Sequence, residues 1–354
     1  MRIAIVAPPF IPVPPNGYGG TELFVAYLAE ALSLRGLEVV VYANGESTVA
    51  CPVRWTFPEK DWPPRPGVDM GLKNLDHSAW AIRDIREGSF DVAHLNDAAG
   101  VPMSRFLPHP VVHTLHHPHD ESLSTLYKRH PWITYVSISD AQKQLEEMPR
   151  MHTIHHGIRL EDYRFESEKK GYLAFLGRMA PVKGPHLAIE VARRAGVPLK
   201  LAGEVQPVFD DYWKTQVLPG IDGREIEFVG EATLDIKNEL LSNASALLFP
   251  IQWNEPFGLV MIEAMACGTP VIALPGGAVP EVVRDGVSGW ICRDIDEMAE
   301  RAADVRISPA SCRDYTEREF SVERMAADYE ELYRACLDEP FEFSLDGDGA
   351  ALGS

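Results

Sequence analysis

Short apolar runs alternating with helical patterns constrain this chain more than any other feature. IAIVA (3–7), VVVYA (39–43), DVAHL (91–95) and VVHTL (111–115) form one series. YLAFLG (172–177), LKLAGE (199–204), IEFVGE (226–231), ALLFP (246–250) and VIALP (271–275) form a second. Helical patterns fill gaps at 20–35, 184–195, 232–243 and 257–267. Strands that are apolar on both faces and separated by helices assemble into parallel, doubly wound α/β sheets. A length of 354 residues accommodates two of them.

The polar stretch RLEDYRFESEKKG (159–171) separates the two series. It places one Rossmann-like unit at 1–165 and a second at 166–320. SVERMAADYEELYRACL (321–337) reads as an amphipathic helix capped by Ser321, running to about 338 and packing back on the first unit. Residues 339–354 contain no Lys or Arg and read as a loose acidic tail. Segment 51–67, where Pro52, Pro58, Pro63, Pro64 and Pro66 interleave with Trp55 and Trp62, reads as an irregular packed loop. In such sheets ligands bind beyond the carboxyl ends of the strands. Two sheets facing each other therefore surround one ligand with both sets of loops.

Charge narrows the partners. Lys and Arg total 33 against 52 Asp and Glu, a net charge of −19. That balance opposes nucleic acid and anionic membrane surfaces as partners. The 5 cysteines (51, 267, 292, 312 and 336) are scattered and without a CxxC pair, as expected of reduced thiols in a cytoplasmic protein. MRIAIVAPPFIPVPP reads as a first core strand broken by prolines rather than as a signal peptide.

NEPFGLVMIEAMACGTP (254–270) raises the sharpest chemical question. Glu263 sits among Val260, Met261, Ile262, Ala264 and Met265 on a helix expected from about 257, with Pro256 in its first turn and Gly268 just past its end. A buried carboxylate needs a partner, either a core Arg or a ligand diol. Glu255 precedes the helix, with 7 residues between the two acids. The first-turn amides of Phe257, Gly258, Leu259 and Val260 offer a seat for an anion, and Gly258 permits close backbone approach.

EPFGLVMIEAMACGTPVIA resembles the E-x7-E signature of the retaining glycosyltransferases of family 4, which have two facing Rossmann-like domains, the GT-B fold. The likeness runs to about residue 338. PPNGYGGTELFVAYLAEAL looks most like the subgroup containing the avilamycin-pathway glycosyltransferase. The resemblance implies a nucleoside-diphosphate sugar as donor, most often a UDP-sugar, with Glu255 facing the donor sugar and Glu263 binding the ribose. It also implies transfer with retention to an acceptor that the sequence does not name, soluble or carrier-linked.

Other motifs join this scheme. FLGRMAPVKG (175–184) puts Arg178 and Lys183 just after a strand, cations suited to a diphosphate. NGYGGTE (16–22) is a glycine-rich turn whose Gly19 and Gly20 let the chain approach diphosphate or sugar; it lacks full GxGxxG spacing. In VVHTLHHPHD (111–120) no carboxylate or Cys frame accompanies the histidines, so neither a metal nor any cofactor is expected. By resemblance His116 points into the cleft at the donor sugar, with His117 as the alternative in register. Gly276 and Gly277 would buttress the pocket, and Thr233 caps the helix after GEAT. The family's I-P-N-G-V-D reads IHHGIR (154–159) here, so His155, His156 and Arg159 depart from the pattern. Competing readings are a nucleotide-sugar 2-epimerase of the same architecture and a non-catalytic nucleotide-sugar sensor.

Overall fold

The computed structural model describes residues 1–17, 19–62 and 69–338. The expected tail at 339–354, Tyr18 of the glycine-rich turn, and the prolines at 63, 64 and 66 lie outside these residues.

Two fully parallel sheets carry the fold. The first has 7 strands in the order β3-β2-β1-β4-β5-β6-β7. They are β1 (Arg2–Val6), β2 (Glu38–Tyr42), β3 (Val53–Arg54), β4 (Val92–Leu95), β5 (Val111–Thr114), β6 (Thr134–Ser137) and β7 (Met151–Thr153). The second has 6 strands in the order β10-β9-β8-β11-β12-β13. These are β8 (Leu173–Leu176), β9 (Leu199–Ala202), β10 (Ile226–Phe228), β11 (Ala246–Phe249), β12 (Val271–Ala273) and β13 (Gly289–Ile291). Every anticipated apolar run became a strand, and apart from β10, an edge strand whose Glu227 and Phe228 are only partly buried, these strands are largely buried on both faces. Sequence patterning missed β3, β6, β7 and β13. They are edge or near-edge strands of only 2 to 4 residues, too short for periodicity to give a signal. The expected irregular loop at 51–67 is corrected in part, since Val53–Arg54 pairs with Val41–Tyr42 as the sheet edge.

Strand order reverses direction between β1 and β4 in the first sheet and between β8 and β11 in the second. Such switch points open crevices at the carboxyl ends of their strands. β1 leads to Gly19, β8 to Arg178 and β11 to Glu255. Topology thus directs three of the expected motifs toward one place.

The helices at 20–34, 185–195 and 234–243 start and stop within about a turn of expectation. Thr233 caps the last of them, its side chain accepting from the Ile236 amide. One boundary is corrected. The helix carrying Glu263 spans Leu259–Ala266, so Pro256 lies outside it. Gly258 adopts φ 85°, a left-handed turn incompatible with helix, and the helix can begin only after it. It ends as foreseen at Gly268, φ 74°, where Thr269 N donates to Ala264 O and Gly268 N to Met265 O.

Two chain crossings join the lobes, and they lie side by side. Ile158 N donates to Phe320 O, and Val322 N donates back to Ile158 O. A Cβ on Gly157 would meet Ser321 O at 2.3 Å, so only glycine fits this crossing. The final helix, Val322–Asp338, then lies against the first lobe: Tyr333 and Tyr329 hydroxyls bond His94 and Thr114, and Glu330 pairs with Arg35. No helix among the described residues is long and apolar enough to cross a membrane.

Candidate active site

A cavity of about 450 Å³ occupies the cleft between the two sheets. His116, Arg178, Lys183, Gly19, Gly20, Glu255, Phe257, Gly258, Leu259 and Glu263 all line it. These residues come from loops after β1, β5, β8 and β11 and from the start of the Leu259–Ala266 helix, and the fold brings every one of them together. The lobes are close at this point. A Cβ on Gly20 would sit 3.6 Å from Leu259 Cδ1, and one on Gly17 would sit 3.1 Å from Glu231 Oε1.

Glu255 and Lys183 meet directly. Lys183 Nζ lies 2.5 Å from Glu255 Oε2, and the Trp253 indole N–H donates to the same oxygen at 2.9 Å. Lys183 Nζ also stands 4.8 Å above the Trp253 ring centroid. The backbone around Glu255 is fixed from behind: Ala278 N donates to Glu255 O at 2.8 Å, and a Cβ on Gly277 would meet that oxygen at 2.2 Å. Gly276 presses similarly on Trp253 O. These two glycines buttress the wall and do not line the main cavity.

Glu263 has the partner its burial demands, and the partner is not an arginine. Oε1 accepts from Lys237 Nζ at 2.9 Å and from the Tyr163 hydroxyl at 3.0 Å. Oε2 has no hydrogen bond among the described residues. Burial, with Glu263 beside it, raises the Tyr163 hydroxyl well above the usual tyrosine range, so it acts as a fixed donor. Lys237 lines the cavity next to Glu263 and was not foreseen, because one Lys on a helix whose first half is polar and largely exposed has no sequence signature. Trp253, Glu204 and Glu231 are further lining residues without one. Burial, then Glu231, raises the Glu204 carboxyl.

Arg178 stands at the mouth of β8, and its guanidinium has no hydrogen-bond partner among the described residues. At the other end the Gly258 turn leaves the amides of Leu259 and Val260 without carbonyl partners inside their helix. Two cations and a helix N-terminus thus face one volume, which suits a diphosphate.

Of the two candidate histidines, His116 presents a free nitrogen and His117 does not. His117 bonds Pro118 O through Nδ1 and the Tyr127 hydroxyl through Nε2. His116 Nε2 lies 2.9 Å from Asn96 Oδ1. Asn96 Nδ2 is committed to Val6 O, so its Oδ1 accepts and His116 Nε2 carries the proton. Burial, then the neighbouring His156, holds the His116 pKa well below the usual histidine range. His155 and Arg159 are structural: His155 pairs with Glu281 at 3.0 Å, and Arg159 with Glu30 and Asp162.

Among the described residues no three His, Cys, Asp or Glu side chains converge as a metal site. All 5 cysteines are buried free thiols.

Comparison with known proteins follows this geometry. The family model "Glycosyltransferase Family 4" matches residues 18–162, and "Glycosyl transferases group 1" matches 161–320. A D-inositol 3-phosphate glycosyltransferase of Mycolicibacterium paratuberculosis is 26% identical over 87% of this chain and 83% of its own. AviGT4, a glycosyltransferase involved in avilamycin A biosynthesis, superposes with a TM-score of 0.70 at 24% identity, covering 95% of this chain and 98% of that one. The Anabaena protein HepE, solved in complex with UDP-glucose, gives 0.73 at 18% identity, covering 95% and 100%.

Proposed function

The chain belongs to family 4 of the GT-B glycosyltransferases, and we propose that it takes a sugar from a UDP-sugar and places it on an acceptor hydroxyl with retention at the anomeric carbon. One observation carries this reading: Arg178, Lys183, Glu255 and Glu263 line a single cavity between the lobes. In it, Glu263 Oε2 takes the ribose diol while Lys237 and Tyr163 hold the other oxygen. Arg178, Lys183 and the Leu259 and Val260 amides stabilise the negative charge that grows on the diphosphate as the sugar leaves. Lys183 exchanges Glu255 for a phosphate oxygen, which releases Glu255 toward the donor sugar.

Departure and attack occur on the same face, and an oxygen of the leaving diphosphate accepts the acceptor's proton. The protein's part is positional and electrostatic, and the reading assigns no metal and no cofactor to the site. A cytoplasmic location, with the buried thiols kept reduced, belongs to the same reading. UDP as the nucleotide is supported by the neighbour solved with UDP-glucose, and the D-inositol 3-phosphate glycosyltransferase makes inositol phosphates the acceptors to try first.

The test is thermal stabilisation by UDP, GDP and ADP, followed by incubation with the matching hexose donors. Release of the nucleoside diphosphate, lost in Lys183→Ala, and an α-linked product from an α-linked donor support the reading. An epimerised donor, or binding without turnover across a broad acceptor screen, overturns it.

A further inference from the structure

His156 has no place in the scheme above, yet it lines the same cavity and is only 4% exposed. It lies in the stretch that departs from the family pattern. Its ring is parallel to that of His116, with centroids 5.5 Å apart and planes at 11°. Phe257 meets it edge-on at 5.0 Å and Phe24 packs on it at a tilt at 4.9 Å, so its orientation is fixed from three sides.

Among the described residues neither ring nitrogen of His156 has a hydrogen-bond partner. Nδ1 is sealed from solvent and unpaired, which leaves Nε2 as the nitrogen at the cavity wall. Burial lowers the His156 pKa to about 3, so the ring is neutral and carries one proton. A buried N–H without a partner is rarer and costlier than an unused lone pair. The proton therefore resides on Nε2 and points into the cavity. His116 has the opposite arrangement: its Nε2–H is committed to Asn96, and its bare Nδ1 is an acceptor. The stacked rings thus offer one donor and one acceptor side by side.

We propose that His156 is a second sugar-reading residue, its Nε2–H donating to one hydroxyl oxygen of the transferred sugar while His116 Nδ1 accepts from another hydroxyl of the same ring. This rests on the cavity being a nucleotide-sugar site. The pair belongs to the sugar end because Phe257, its ring contact in the second lobe, is two residues from Glu255, the acid assigned to the donor sugar, whereas the ribose is assigned to Glu263, held by Lys237 and Tyr163.

The experiment compares wild type with His156→Phe, His156→Asn and His156→Gln. It measures UDP affinity by calorimetry, and kcat/KM with the hexose donor that wild type consumes and with that donor's ring-deoxy analogues. Expected are a UDP Kd within about twofold of wild type throughout and kcat/KM at least tenfold lower in the Phe and Asn variants. Gln, whose amide N–H reaches about as far as Nε2, recovers most of the loss. One deoxy analogue should be at least about tenfold poorer for wild type and no poorer than the parent donor for the Phe and Asn variants. Unchanged kcat/KM in Phe or Asn overturns the proposal, as does a fall in UDP affinity matching the fall in kcat/KM, which marks a packing role. If the Phe chain does not fold, Asn decides alone. A wild-type chain that binds no nucleoside diphosphate and consumes no donor overturns the functional reading itself, and the role of His156 with it.

Discussion

Lys183 and Glu255 are ion-paired in the cavity wall, so the cation expected at the diphosphate and the carboxylate expected at the donor sugar hold each other. Their side chains are only 16% and 8% exposed, so removing one strands the other in a poorly solvated place. Lys183→Ala should lower stability by about 2 kcal/mol in urea denaturation and kcat/KM by about 100-fold or more. Adding Glu255→Gln should restore most of the stability and none of the activity. A double variant no more stable than the single would show that the pair is uncoupled.

Glu263 depends on Lys237 in the same way. Lys237→Met leaves the carboxylate with Tyr163 alone and should cost about 1–3 kcal/mol of stability. Glu263→Gln should keep most of the stability and weaken UDP binding about tenfold, read by calorimetry, because a neutral amide makes poorer bonds to a diol than a carboxylate. Equal UDP affinity in Glu263→Gln would remove the ribose from this residue.

Gly277 bears on catalysis through backbone alone. It holds φ 55°, and a Cβ there would reach Glu255 O at 2.2 Å and Glu255 N at 2.4 Å. Gly277→Ala should displace the Glu255 loop and cut kcat by at least about tenfold while UDP affinity stays near wild type. Matching losses in kcat and UDP affinity would instead indicate collapse of the whole cleft.

Glu281 ties the lobes together. Its carboxylate accepts from Asp140 N at 2.7 Å, Ala141 N at 2.6 Å and His155 Nε2 at 3.0 Å, all in the first lobe. These donors hold the Glu281 pKa below the usual glutamate range against the opposing effect of burial. Glu281→Ala should favour an open arrangement, raising the donor KM about fivefold, as expected for about 1 kcal/mol of partly exposed contact. A larger radius of gyration in small-angle scattering with UDP present should accompany it.

Acid should destabilise the protein well above the carboxylate range. Burial lowers His77 to about 4 and His94, His113 and His156 to about 3, all from 6.5. Below about pH 6.5 the unfolded chain takes up protons that these neutral rings refuse. Their contribution is therefore complete above pH 6.5 and is lost as pH falls toward 3, at up to about 1.4 kcal/mol per pH unit for each. Glu22, raised to about 7 chiefly by burial, works oppositely: its contribution is complete below 4.5 and fades as pH rises through 7. The buried bases, His116 among them, outnumber the raised acids Glu22, Asp97 and Glu204, so urea midpoints should fall steadily from pH 6.5 to 5. A flat profile there would contradict the buried neutral histidines.

Alternation of apolar runs with helices was enough to establish two parallel sheets, and the glycines and acids singled out at strand ends line one cavity between them. These are local properties: burial on both faces writes itself into consecutive residues, and a turn that needs positive φ writes itself as glycine. The partners of the site residues are another matter. Tyr163 and Lys237 reach Glu263 across 100 and 26 residues of chain, and His156 meets His116 only because β7 ends beside the crossing between lobes. Spacing along the chain holds no information about such meetings. Sheet order and the paired crossings at Ile158 and Phe320 decided which charge neutralises which, and which ring nitrogen was left facing the cavity.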